Sequence, residues 1–200
     1  MKSIQNAHIK KLGNGITLVT INDPKSYNSL STVTLKSLLN IFQKLDNDNS
    51  TKVIILEGSG NGFSAGHNLK EVKGLKKRSK YLSLFNLCSK LMMQIVNGKK
   101  PVIAKVHGAA YAAGCQLVAS CDLAYSTNEA MFATPGVNIG LFCSTPMVAV
   151  SRKVNRKRMM KMLLTGEPIT AKFAKEIGLI NDHFNKSKLN SEILKIAKTI

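Results

Sequence analysis

The stretch PVIAKVHGAAYAAGCQLVASCD, residues 101–122, decides how this chain is read. Pro101 opens it, and Val102 to Val106 is a short apolar run that reads as a buried strand. His107–Gly108 ends the strand, and the small residues Ala109 to Gly114 lead to Cys115, Gln116 and Leu117. Small side chains at such a turn let backbone approach backbone closely. Working outwards, Ile16 to Ile21 (ITLVTI) is a β-rich run closed by the turn residues Asn22, Asp23 and Pro24. Ser31 or Thr32 can cap a helix whose apolar positions Val33, Leu35, Leu38, Leu39, Phe42 and Leu45 fall near helical spacing. Val53 to Glu57 (VIILE) reads as another buried strand, feeding the glycine-rich GSGNGF. Tyr81 to Val96 repeats Leu82, Phe85, Leu91, Met92 and Ile95, an amphipathic helix stopped by Asn97–Gly98. Further on, a short strand is expected over Asp122 to Ser126. Helices are expected over Thr145 to Lys153, Arg156 to Leu164 and Thr170 to Ile177.

Strand, loop and helix recur three times, which predicts an α/β fold with each strand covered by the next helix. No linker interrupts the pattern, so residues 1–200 read as a single domain. A chain of 200 residues that is 44% hydrophobic can bury a genuine core. No stretch approaches the roughly 18 consecutive apolar residues of a membrane helix, so no membrane insertion is expected. Met1 to Lys11 is polar, with neither an apolar h-region nor an Arg-rich presequence. Cys88, Cys115, Cys121 and Cys143 are widely spaced, form no CxxC pair and have no His at ligand spacing, so buried free thiols are expected and no metal.

The net charge of +18 suits a polyanion, either a phosphate-bearing cofactor or nucleic acid. It also suits a lysine- and asparagine-rich composition of AT-rich coding. The cations cluster in Lys70 to Lys80 (KEVKGLKKRSK) and Arg152 to Lys161 (RKVNRKRMMK).

Three segments occur in a recognisable order: Asp23–Pro24–Lys25–Ser26–Tyr27–Asn28, then Ser64–Ala65–Gly66–His67–Asn68–Leu69–Lys70, then the 101–122 stretch through Ala112–Ala113–Gly114–Cys115–Gln116–Leu117. With Phe132–Ala133–Thr134–Pro135–Gly136 and Leu164–Thr165–Gly166–Glu167–Pro168–Ile169, they resemble the enoyl-CoA hydratase/isomerase (crotonase) superfamily over nearly the whole chain. The resemblance implies a crotonase-type spiral of β-β-α repeats, with the C-terminal helical region shortened at Ile200. It implies an acyl-CoA thioester as substrate or ligand, no separate cofactor, and assembly as a homo-trimer or hexamer. It further implies fatty-acid metabolism, in the bacterial cytoplasm or the mitochondrial matrix of eukaryotes.

A thioester carbonyl that becomes an enolate needs donors aimed at its oxygen, and fixed backbone N–H groups supply them. By the resemblance these are the N–H groups of His67 and Ala113, with the His67 imidazole expected to point outward. Lys25, Ala65, Gly66, Asn68 and Gly114 would then line the substrate path, Lys25 towards the nucleotide. Packing of helix against strand is the alternative use of Ala112, Ala113 and Gly114.

The pattern breaks at the acid–base groups. Hydration needs one group to deprotonate water and one to protonate the α-carbon. The family's two glutamates fall on Gln116 and Gly136, neither of which carries a titratable group. The isomerase glutamate falls near Ser144, and the dehalogenase nucleophile falls on Phe142. Ordinary hydration is therefore disfavoured. Gly136 is expected to leave room for a water or small anion and Gln116 to orient that water; Cys143, Ser144 and Thr145 either line the acyl pocket or serve as core and helix-cap residues. Two non-catalytic readings stand beside this: an acyl-CoA binder and an RNA binder. RNA is disfavoured because aromatics are only 6%, without Trp, and neither basic cluster is interleaved with Phe or Tyr.

Overall fold

The computed structural model describes residues 2–4 and 6–200; Met1 and Gln5, in the polar Met1–Lys11 segment, lie outside the described residues. The strands are β1 Lys2–Ile4, β2 Ala7–Gly13, β3 Ile16–Ile21, β4 Val53–Gly58, β5 Val102–Val106, β6 Ala109–Tyr111, β7 Leu123–Thr127, β8 Met131–Ala133, β9 Ile169–Thr170 and β10 Asp182–Phe184. The helices are α1 Thr32–Asp46, α2 Leu69–Gly74, α3 Arg78–Val96, α4 Ala113–Ser120, α5 Ser144–Val150, α6 Arg156–Thr165, α7 Ala171–Glu176 and α8 Lys186–Thr199.

A seven-stranded sheet runs β1-β2-β3-β4-β5-β7-β10, and β6-β8-β9 form a small second sheet. From β3 to β10 all pairs of the large sheet are parallel, while β1 and β2 are antiparallel. β4 is buried almost throughout because helices cover both faces, the usual state of parallel strands. Ile54 and Leu56 join the larger core, while Val53 and Ile55 pack with Leu189, Ile193 and Ala197 of α8 on the opposite face. The expected β-β-α repeat is visible twice. β5 enters the large sheet, β6 the small one, and α4 follows; β7, β8 and α5 repeat the sequence. After β4 the second strand is reduced to one bridging residue, Ser64, opposite Ala110.

Ser31 caps α1, its side chain accepting from Thr34 N–H, and Thr170 caps α7 in the same way through Phe173 N–H. α3 begins at Arg78, ahead of the expected Tyr81, with no side-chain cap at Lys77. The helix expected over Thr145 to Lys153 is Ser144–Val150, finishing in a turn. β2, α2, the short strands of the second sheet, β10 and α8 were not expected from the sequence. The α8 stripe Leu189, Ile193, Ala197, at four-residue spacing, is the one readable signal among them.

Candidate functional site

Two turns meet beside the second sheet. The first follows β4 and is held by Asn28, a fully buried residue with a left-handed backbone (φ 54°). Its carboxamide donates to the carbonyls of Ser59 (2.7 Å) and Gly62 (2.8 Å) and accepts from Asp23 N–H (3.0 Å). Ser64 Oγ donates to Asn28 O (2.9 Å), and Ala65 N–H to Tyr27 O (2.9 Å). The turn after β4 is thereby tied to the Asp23–Asn28 loop.

The second turn leads from β6 into α4. Ser64 N–H donates to Ala109 O (3.1 Å) and Tyr111 N–H to Ser64 O (2.9 Å), pinning the two turns together. Ala112 N–H donates to Ala133 O (2.9 Å). Ala112 itself sits at φ 50°, ψ −117°, a region left almost entirely to glycine. That conformation turns the chain sharply into α4, leaving Ala113 as its first residue.

Gly66 N–H donates to Ser64 Oγ (3.3 Å), while among the described residues the N–H groups of His67 and Ala113 meet no protein acceptor. Leu30 N–H donates to Gly66 O (2.7 Å) in a parallel bridge between Leu30 and His67. A parallel bridge uses the neighbours' groups of the opposing residue, so the His67 N–H is left facing away from Leu30. Ala113, at the start of α4, has no earlier carbonyl in its own helix to donate to. Gly66 brings these groups together: at φ 87°, a β-carbon there would press on Tyr111 O (2.8 Å) and on the Ala113 nitrogen (3.0 Å).

Both turns open on a cavity of about 480 Å³. Ala65, His67, Ala112, Ala113, Gly136, Cys143, Ser144 and Thr145 line it. Leu69, Phe85, Pro135, Asn138, Ile139, Leu141, Phe142 and Pro146 complete the wall; most were not anticipated, because α2 and the Pro135–Ile139 turn were not. The lining holds no carboxylate. Two N–H donors at the wall of an apolar, carboxylate-free cavity can hold an oxygen that gains negative charge.

The His67 imidazole does not point outward, as the sequence suggested. It packs edge-on to Phe85 at 5.2 Å, and Nδ1 lies 3.3 Å from Leu30 O. The carbonyl can only accept, so Nδ1 carries the proton of the neutral ring. Nε2 is sealed without a partner. Burial drives the ring's pKa below its ordinary value, outweighing the Leu30 carbonyl and the charge of Glu71.

Gly136 lines the cavity, but the direction a side chain would take from it is filled. A β-carbon there would strike Leu141 O and stand 2.8 Å from Cys143 Sγ. Leu141 N–H donates back to Gly136 O (2.9 Å), closing the turn on itself. Gln116 is buried one helical turn beyond Ala113, but it lines a neighbouring cavity of about 240 Å³ with Met92, Val96 and Arg152. Thr145 lines both. The Asn68 side chain is taken up in capping α2, accepting from Glu71 N–H (3.1 Å). Gly114 lies against Ser64. Lys25 is exposed in the Pro24–Ser26 turn and does not line the cavity, although Tyr27 of the same loop bonds Ala65. His107 is structural as expected, with Nε2 2.9 Å from Gly60 O.

A sequence profile described as enoyl-CoA hydratase/isomerase matches residues 11–200. Human enoyl-CoA hydratase domain-containing protein 3, mitochondrial, is 47% identical over 186 residues, covering 93% of this chain and 61% of that protein. It names the subgroup that the 112–146 stretch resembles. The short-chain-enoyl-CoA hydratase of Clostridium acetobutylicum is 32% identical over 203 residues, covering 98% of this chain and 76% of its own length. Among solved structures, an enoyl-CoA hydratase of Mycobacterium smegmatis superposes with a TM-score of 0.96 at 44% identity, covering 98% of this chain and 76% of that one. The human domain-containing protein 3 superposes at 0.94 and 45% identity, covering 97% and 76%. The chain spans 61–64% of the length of the first curated relatives it matches.

Proposed function

The chain belongs to the enoyl-CoA hydratase/isomerase family, and from that premise we propose that it holds acyl-CoA thioesters with the carbonyl oxygen between the N–H groups of His67 and Ala113. The observation that carries this reading is the pair of acceptor-free N–H groups meeting across Gly66 at the wall of the cavity. Fixed donors stabilise an enolate oxygen more than a thioester carbonyl oxygen, because charge develops there. The acyl group extends past Phe85 and Phe142, and the nucleotide lies towards Ala65 and Lys25. A homo-trimer or hexamer is the proposed assembly; a monomeric mass by light scattering would remove it.

Ordinary hydration is not the proposed reaction. Gln116 and Gly136 carry no titratable proton, and the buried His67 ring sits in its neutral form with its bare nitrogen sealed. A site with enolate stabilisation and no carboxylate base suits chemistry that needs no proton abstraction. Loss of CO₂ from an acyl group carboxylated at its α-carbon (a malonyl-type thioester) is one such step: the bond from the α-carbon to the carboxylate breaks, its electrons enter the enolate, water returns a proton to the α-carbon, and the hydroxide left takes up the CO₂ as bicarbonate. Binding without turnover is the second reading, favoured by the sealed orientation of Gln116 Oε1, which has no partner.

Calorimetric titration with acetoacetyl-CoA, against free CoA, tests the binding claim. The enolisable thioester should bind at least about tenfold more tightly. Equal affinities would remove the proposed donors, and rapid hydration of crotonyl-CoA would remove the exclusion of hydratase chemistry.

A further inference from the structure

Around the mouth of the cavity, apolar side chains and unpaired cations stand side by side. Leu69, Leu82, Ile139, Leu141 and Phe142 are each 40–60% exposed. Four of them line one cavity, and Leu82 lies one helical turn before Phe85, which lines it too. They therefore form one patch and are not scattered singly. Directly beside it runs Lys70 to Lys80, with Lys70, Lys73, Lys76, Lys77, Arg78 and Lys80 against a single acid, Glu71. None of these six cations is in an ion pair among the described residues. Glu71 is engaged instead with the Thr32 N–H at 2.9 Å.

We propose that this face docks on an anionic lipid bilayer, with Lys70–Lys80 on the headgroups and Leu82, Leu141 and Phe142 dipping into the interface. Charge complementarity argues for the bilayer: a basic stretch next to a membrane gains about 1 kcal/mol per Lys or Arg near the surface. The exposed aliphatics decide between polyanions. A nucleic acid would use the cations and leave Leu69, Leu82, Ile139 and Leu141 in water, since aliphatic side chains offer no stacking platform for bases. A bilayer uses both, as interfacial helices do. No helix of the described residues is long and apolar enough to cross the membrane, so the contact is peripheral. The docked face is the mouth of the cavity, which would open towards the lipid.

Co-sedimentation with phosphatidylcholine vesicles, with and without about 30% phosphatidylserine, tests this at roughly 0.1 M salt. The protein should pellet with the anionic vesicles and stay in solution with the neutral ones. K76E/K77E/R78E should lower that partition by at least about tenfold. K186E/K188E/K198E makes the same change of charge on α8, across the sheet, and should leave most of the binding. The chain has no Trp, so Phe142→Trp is a single reporter whose emission should shift to the blue on anionic vesicles. Equal losses from both triple variants, or no blue shift, would overturn the proposal in favour of general charge attraction. Binding of a single-stranded RNA without vesicle binding would overturn it in favour of nucleic acid.

Discussion

The carbonyl oxygen of Ser64 accepts the Tyr111 N–H at 2.9 Å and at the same time fills the space where a β-carbon of Gly114 would stand. One backbone atom thus fixes the separation of the two turns. Because it is backbone, it cannot swing aside as a flexible side chain could.

Gly114→Ala should therefore push the turns apart. Overpacking of this kind costs about 1–3 kcal/mol. Urea denaturation should show that loss, and acetoacetyl-CoA affinity should fall further than stability alone explains. A variant of unchanged stability and affinity would mean the turns can separate freely.

Ala112→Gly should do the opposite of most alanine-to-glycine changes. The residue holds φ 50°, ψ −117°, at a strain of about 1–3 kcal/mol, against an entropic cost of about 0.5–1 kcal/mol for glycine in the unfolded chain. A net gain near 1 kcal/mol is expected by urea titration. A clear loss would show that the turn is relaxed as it stands.

These two positions also mark how far the sequence could be read. Apolar runs and helical spacing disclosed β3, α1, β4 and β5 nearly to the residue, because the strands are buried almost throughout and α1 buries one continuous stripe. The family resemblance implied His67 and Ala113, and with them the neighbourhood of Cys143 to Thr145, all of which line the cavity. Three features stayed hidden: the inward His67 ring, the filled space at Gly136, and the turning of Gln116 to the next cavity. Each depends on which way one side chain or carbonyl points after the chain has closed, and no local pattern encodes that. The strands of the second sheet are two or three residues long, too short for a period to register.

Gly136→Glu should not install hydratase activity. The new side chain would meet Leu141 O and Cys143 Sγ before reaching the cavity. Crotonyl-CoA hydration should stay at background and the denaturation midpoint should drop by about 1–3 kcal/mol equivalent. Measurable hydration would show that the Pro135–Cys143 turn opens easily.

His67 gives stability a pH dependence of known sign. Burial lowers its folded pKa, so below an unfolded value of about 6.5 the unfolded chain binds a proton the folded one refuses. Its contribution is complete above that value and is lost as pH falls towards the folded pKa. Urea midpoints should decline from about pH 7.5 to about pH 5.5, and His67→Gln should flatten the decline. An unchanged slope in the variant would assign the effect to another group.

The four thiols should be slow to alkylate in the native protein. Burial pushes Cys88 and Cys115 up to about 12 and raises Cys121 and Cys143 as well. At about pH 8 a thiol at 12 has on the order of a thousandfold less thiolate than a free cysteine. Iodoacetamide with mass readout should find little label before urea is added and four labels after it. Fast labelling of Cys143 alone would reveal opening of the turn it shares with Gly136.

The collision at Gly136 bears on the order in which this chain could change through descent. With Leu141 O seated where a side chain would begin, a mutation at codon 136 alone meets a steric barrier. The segment Leu141–Cys143 has to retreat first, and that retreat confers nothing until an acidic residue arrives. Each step waits on the other, so the closed turn works as a ratchet that keeps position 136 without a side chain.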